Sequence, residues 1–392
     1  MTTLPDSQRP ALAIRLVGAL VVCALAVHIA TNLWGPYGIH RDEFLYLSMG
    51  KHLRFWRMDF PPLIALAANF SRWIGGDTIV AIRLLPSLAH GGLILLAALA
   101  AREFGAHRAG QTLAAAGVLL SPLFLRTGGM LQPVIFDQLW WTLTLYACLR
   151  LINSGRAECW LVIGSALGAG LLTKFSIAFL GVPFVVALFL STERRWRATR
   201  WPWIALALAL AIGAPSLVGQ VALGFPIRGQ MEALQGGQLD RMTYGAFIGG
   251  QLLFGPATFL AAFGCASLIW GQLSRYRLIG LSCLGAFLFL LVLHGKSYYI
   301  GPIYPVLYAA AAARLEMMRA PKARRGAFAV SFAAIAAYGI VIFPVGVPFL
   351  SPQPMARYAQ WLGISQATET NQGVQLALPQ DYADMLGWRE MV

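Results

Sequence analysis

Charge is scarce in this sequence. Only 12% of its 392 residues are Asp, Glu, Lys or Arg, about half the share of a soluble domain, and 16 acidic residues face 30 basic ones. No polar stretch is long enough to build a large soluble domain. The five cysteines, Cys23, Cys148, Cys159, Cys265 and Cys283, form no C-x-x-C pair and lie in or beside apolar runs. That excludes a disulfide framework and a cysteine zinc site. No G-x-x-x-x-G-K-[ST] segment occurs, so nothing supports a nucleotide-driven pump. There is no internal repeat.

What is abundant is apolar. Hydrophobic residues make up 58% of the chain, with a mean hydropathy of +0.65, and a spanning helix needs roughly 20 of them in a row. Eleven candidate spans follow, at 12–33, 79–101, 109–125, 136–152, 159–173, 175–191, 202–219, 246–270, 278–294, 300–314 and 327–345. The expected fold is therefore an all-α polytopic membrane bundle over residues 1–345, followed by a short outer tail, 346–392. Leu12 to Leu33 is too long for a typical signal peptide and reads as a retained first span. With the N-terminus in the cytoplasm, every inner connection is basic, including ERRWRATR (193–200) and RLEMMRAPKARRG (314–326). These segments hold 17 of the 30 Lys and Arg, so the positive-inside rule accounts for most of the +14 net charge without a nucleic-acid partner.

The outer side carries the remaining charge. Loop 34–78 mixes Phe44, Leu47 and Met49 with Arg41, Asp42, Glu43 and Lys51, the pattern of one or two helices lying on the membrane surface. Asp59-Phe60-Pro61-Pro62 interrupts it, since proline lacks an N–H and restricts its predecessor; a second interfacial helix, Leu63 to Trp73, is expected after it. Asp42 and Glu43 open the first of these helices, where a carboxylate either caps free N–H groups or serves as a general base; taken alone the pair supports both readings. Asp59 reads as a turn residue or a site residue, and Asp137, at the mouth of the fourth span, as a cap or a site residue. Lys174 in LLTKFS, Lys296 in HGKSYY and Arg126 reach the same face, either snorkelling or holding an anion such as phosphate. His40 and His52 leave a divalent metal open, but none is required. The glycines of GSALGAG (164–170) read as close-packing positions between spans.

DEFLYL, DFPPL, IVAIRLLPSL (79–88), FDQLWWTLTLYACLRL, GLLTKFS (170–176), RWPWI and GKSYYIGPIYP (295–305) together resemble glycosyltransferase family 39, which is similar to protein O-mannosyltransferases and the lipid A aminoarabinose transferase. The resemblance runs in order over about residues 30–316, and the tail run LPQDYADMLGWREM continues it. It implies a GT-C bundle, a polyprenyl-phosphate-linked sugar donor and a hydroxyl acceptor at the outer face of the cytoplasmic membrane. It further implies Asp42 as base, Glu43 beside it orienting the acceptor or the base, Asp59 and Asp137 lining the same site, and Lys174, Lys296, Arg126, Tyr298 and Tyr299 binding the donor phosphate. Family members often continue into a soluble outer domain; either this member lacks that domain and 346–392 is a short tail, or the sequence is truncated within it. Phe60 stands where the aminoarabinose transferases have a basic residue, which argues against that sugar. A flippase or solute transporter is the alternative, although such proteins place polar groups at the bilayer midplane, and here they gather at one interface.

Overall fold

The computed structural model describes residues 9–364 and 373–388, and these are organised as helices. In chain order they are α1 (Ile14–Trp34), α2 (Arg41–Lys51), α3 (Leu63–Gly75), the single turn α4 (Ile79–Ile82), α5 (Leu84–Glu103), α6 (Arg108–Leu119), α7 (Pro122–Gly128), α8 (Pro133–Ser154), α9 (Cys159–Thr173), α10 (Ala178–Leu190), α11 (Trp201–Ala222), α12 (Ile227–Leu234), α13 (Tyr244–Gly250), α14 (Ala257–Ile269), α15 (Arg277–Val292), α16 (Tyr304–Glu316), α17 (Pro321–Gly346), α18 (Pro352–Leu362) and the short α19 (Gln380–Ala383).

Among the described residues five helices are long and apolar enough to cross a membrane: α1, α5, α11, Ser274–Val292 and α17. Counting two bent pairs, Phe175–Leu190 with Thr192–Ala198 and Tyr244–Phe254 with Ala257–Ile269, raises this to seven. The eleven expected segments all coincide with helices, but several are too short, broken or polar to pass by length and composition. Segment 109–125 breaks between α6 and α7, where Ser121 is extended and Pro122 starts a new helix, as its fixed φ favours. Segment 246–270 breaks at Gly255, whose φ of 84° is a conformation that side chains disfavour.

The innermost helices are α5, α6, α8 and α16. Ala309 to Ala313 of α16 are all buried, and their small size lets neighbouring backbones approach. The same logic explains GSALGAG: a Cβ on Gly164 would lie 2.5 Å from the Ala205 carbonyl of α11, and one on Gly168 2.7 Å from Ile212. These are helix-packing glycines. By contrast α1 and α17 are mostly exposed to the surroundings, as lipid-facing helices should be.

The segment between α1 and α5 folds as α2, α3 and the turn α4, so the two helices expected there are present. Asn69 Nδ2 donates to the Gly50 carbonyl (2.9 Å) and Arg72 Nη1 to that of Leu47 (3.2 Å), fastening α3 to α2. The tail does not trail away. Tyr382 donates to the Pro344 and Val345 carbonyls at 2.8 and 2.7 Å. It packs with Tyr37, Met130, Met355 and Met385 in a small second core. The Arg41 amide donates to the Asp384 carbonyl (3.0 Å), so the tail lies over the start of α2.

Candidate functional site

The start of α2 splits the acidic pair. Glu43 is fully buried and every contact it makes is with protein. Its Oε1 accepts from Arg83 Nε (2.9 Å) and the Leu131 amide (2.8 Å), and its Oε2 from Arg83 Nη2 and the His40 amide (both 2.7 Å). Arg83 also donates to the Gly38 carbonyl and Asn32 Oδ1. Burial pushes the Glu43 carboxyl up, and the Arg83 charge with its hydrogen bonds and the two amides outweighs it, holding the group below its ordinary value. Glu43 is a strut joining α2 to the start of α5 and to the loop before α8. The expected role of orienting an acceptor does not fit a carboxylate with four donors already in place.

Asp42 is different. Its side chain is 36% exposed and, among the described residues, accepts only two long contacts, from Arg41 Nε to Oδ1 and from Gln132 Nε2 to Oδ2, both 3.4 Å. Both oxygens keep room for a further partner. Its amide donates to His40 Nδ1 (3.0 Å) while the Glu43 carboxylate accepts from the His40 amide, so His40 and Glu43 form a capping box and the capping role expected of the acidic pair falls to Glu43, not Asp42. With Nδ1 accepting, the neutral ring carries its proton on Nε2. That atom is buried without a hydrogen-bond partner and lies 3.9 and 3.8 Å from the carboxylates of Asp381 and Asp384. Burial holds the ring below its ordinary pKa against the pull of Asp381.

Asp381, delivered by the tail, is the residue sequence reasoning missed. Arg126 Nε donates to its Oδ2 at 3.0 Å, and the guanidinium lies 4.5 Å over the Tyr382 ring. Both Nη atoms of Arg126 are buried without a hydrogen-bond partner, as is the Tyr37 hydroxyl. Burial raises the Asp381 carboxyl and Arg126, His40 and Lys296 lower it, with a net shift downward. A signal was present in the sequence: Asp381 belongs to the tail run that continues the family pattern.

The other expected anion binders gather nearby. Lys174 sits over the Tyr299 ring at 4.2 Å and the Tyr298 ring at 5.8 Å, and the two tyrosines pack edge to face. Lys296 is within electrostatic reach of Tyr299, Lys174, Asp381 and Asp42, and burial, its largest influence, moves its pKa below the ordinary lysine value. Asp42, Lys174, Lys296, Arg126 and the tyrosines thus form one charged neighbourhood. Asp137 is buried, with Oδ1 accepting from Trp141 Nε1 (3.1 Å) and Oδ2 from Ser176 Oγ (2.7 Å), two positions on from Lys174. It stands five residues into α8 and caps nothing. Asp59 is not joined to the cluster by any described interaction; its carboxylate is exposed and its backbone is held to α11 by Gln220 (2.8 Å). Among the described residues no three His, Cys, Asp or Glu side chains converge as a metal site, and His52 is exposed at the far end of α2.

Residues 59–218 match the family described as dolichyl-phosphate-mannose-protein mannosyltransferase. No curated protein sequence matches the chain. Among solved structures, ArnT from Cupriavidus metallidurans bound to undecaprenyl phosphate is similar at 19% identity and a TM-score of 0.65, over 85% of this chain and 65% of that one. This chain thus spans less than two thirds of that relative's length. The Archaeoglobus fulgidus oligosaccharyltransferase is similar at 14% identity and a TM-score of 0.57, over 88% of this chain and 57% of that one. For the mycobacterial arabinofuranosyltransferase AftD the values are 18% and 0.56, over 94% and 30%. The chain is a multi-pass membrane protein of GT-C fold, and its residues 59–218 carry the dolichyl-phosphate-mannose-protein mannosyltransferase family pattern.

Proposed function

We propose that the chain transfers a sugar from a polyprenyl-phosphate donor to an acceptor hydroxyl, with the Asp42 end of the bundle at the outer face of the cytoplasmic membrane. One observation carries this reading: the under-coordinated carboxylate of Asp42 is linked through His40 and Asp381 to Arg126, whose Nη atoms are unpartnered. A base and an anion holder side by side suit a reaction in which one end of the sugar meets a nucleophile while the other leaves as phosphate.

In this reading Asp42 takes the proton of the acceptor hydroxyl as its oxygen attacks the anomeric carbon. The bond from that carbon to the phosphate oxygen breaks, its electrons leave with the phosphate, and the configuration inverts in a single displacement. The leaving group is a stable anion, so no second carboxyl is needed to protonate it, unlike glycoside hydrolysis. Arg126, Lys174 and Lys296 neutralise the growing charge, and a guanidinium with two free Nη atoms matches two phosphate oxygens. Asp137 keeps Ser176, and with it the turn that carries Lys174, against α8. ArnT bound to undecaprenyl phosphate supports the donor class by analogy.

The test is release of polyprenyl phosphate from a panel of polyprenyl-phosphate sugars by the purified protein. Asp42→Asn should lower turnover by about 10²–10⁴-fold, the usual contribution of a general base. Turnover that survives the substitution removes Asp42 from the role. Absence of turnover with every donor, together with solute uptake by vesicles, would make the protein a transporter.

A further inference from the structure

A cavity of about 840 Å³ opens at the opposite end of the bundle, among the start of α6, the end of α16 and the start of α17. His107, Arg108, Glu316, Arg324, Arg325 and Phe328 line it with several small apolar residues. Its charges do not cancel. Glu316 is the one carboxylate, and its Oε2 and Oε1 accept from the His107 and Gly110 amides at 2.7 Å each, so it is engaged in capping α6. The Arg324 guanidinium makes one long contact, 3.5 Å, to the Glu316 carbonyl. Among the described residues no carboxylate pairs with Arg108, Arg324 or Arg325. Three guanidinium groups against one carboxylate leave a surplus of two positive charges facing one hollow.

The positive-inside rule explains why arginines sit at this end but not why they surround a cavity of ligand size. The hollow is larger than a bare phosphate needs, and Phe328 and the small apolar residues give it an apolar wall. Its outer boundary is α17, a 26-residue apolar helix that is mostly exposed, so a ligand can enter sideways from the bilayer. We infer that this cavity binds the headgroup of an anionic phospholipid, its phosphodiester among Arg108, Arg324 and Arg325 and its acyl chains along α17. Basic hollows between spanning helices on the cytoplasmic side suit such headgroups. The site is independent of the reaction at the Asp42 end.

The test is native mass spectrometry of the full chain in detergent, titrated with diphosphatidylglycerol, phosphatidylglycerol, phosphatidylcholine or inorganic phosphate. Expected is stoichiometric binding of the anionic lipids, phosphatidylcholine binding far more weakly, and inorganic phosphate failing to compete. The pair Arg324→Gln and Arg325→Gln should weaken anionic-lipid binding about 30-fold, from roughly fivefold per arginine near the surface. Arg156→Gln, an exposed arginine on a different loop, should change nothing. Should the double variant fold poorly, Arg108→Gln alone should still cost about fivefold. Equal binding of phosphatidylcholine, competition by inorganic phosphate at the affinity of the lipids, or unchanged binding by the variants would each overturn the site.

Discussion

Two clusters, each a carboxylate with arginine and a tyrosine, occupy opposite ends of the bundle. Around Glu103, the last residue of α5, Arg9 and Arg150 donate to Oε1 at 2.9 and 3.2 Å and Asn153 to Oε2 at 3.0 Å. Asn153 Oδ1 in turn accepts from Tyr276 (2.8 Å). Here the carboxylate is fully engaged by protein donors. Around Asp381, Arg126 spends one nitrogen on the carboxylate and leaves two without partners, and the His40 and Tyr37 donors are also unspent. Buried polar groups are ordinarily satisfied, and leaving a charged one without a partner costs more than a hydrogen bond gains. The Glu103 cluster therefore reads as structure, holding the N-terminal segment, α5 and α8 together. The Arg126 cluster reads as a site kept ready for an anion. Glu43 and Arg83 show that the distinction follows satisfaction rather than location, because they lie beside the site and are saturated.

The sharpest way to break this contrast is to remove a charge from each side. Glu103→Ala should destabilise the protein by roughly 3–5 kcal/mol, since it strands cations that are largely buried, and should leave donor affinity unchanged; thermal unfolding in detergent and donor titration check both. Arg126→Gln should do the reverse. Donor binding should weaken about 10–100-fold, the range for a charge-assisted hydrogen bond, with a stability change within about 1 kcal/mol. If Arg126→Gln unfolds the protein and spares donor binding, the two clusters are of one kind.

Titration gives smaller effects. Burial holds Lys296 below the ordinary lysine value, so it loses its proton, and the donor phosphate a partner, at lower pH than a solvated lysine. A donor affinity profile should fall early on its alkaline side, and Lys296→Arg should move the fall to higher pH. His40 is the weakest lever. Its folded pKa lies below its unfolded one, so the unfolded chain binds more protons between the two values, and stability falls as pH drops below about 6.5 towards the folded pKa. His40→Asn keeps a cap acceptor and should flatten that slope, by less than about 1 kcal/mol. Asp381, also shifted down, loses its contribution only in stronger acid, below the ordinary carboxylate range, so the two are separable by pH.

Much of this site was legible from sequence because its signals are local. Helix α2, the Lys174 turn and the Lys296-Tyr298-Tyr299 run each announce themselves within a few residues. The division of labour between Asp42 and Glu43 was not, because it is decided by Arg83, 40 positions on from Glu43, and by the Leu131 amide. Asp381 was hidden for the same reason: a carboxylate 255 positions after Arg126 has no periodic relation to it. The span count suffered differently. Hydropathy sees apolar length but not the turns at Ser121 and Gly255 that bend it, and Asp59 shows that an acidic residue before two prolines does not by itself reach the charged neighbourhood.

The tail's return to α2 also sets an order of events. A ribosome delivers Arg126 long before Asp381, so a nascent bundle holds an Arg126 side chain without its carboxylate partner while the following 255 residues are made. Only when α19 settles against Tyr37 and the Asp384 carbonyl receives the Arg41 amide is that neighbourhood complete. Completion of that neighbourhood thus waits on a residue made 255 positions after Arg126.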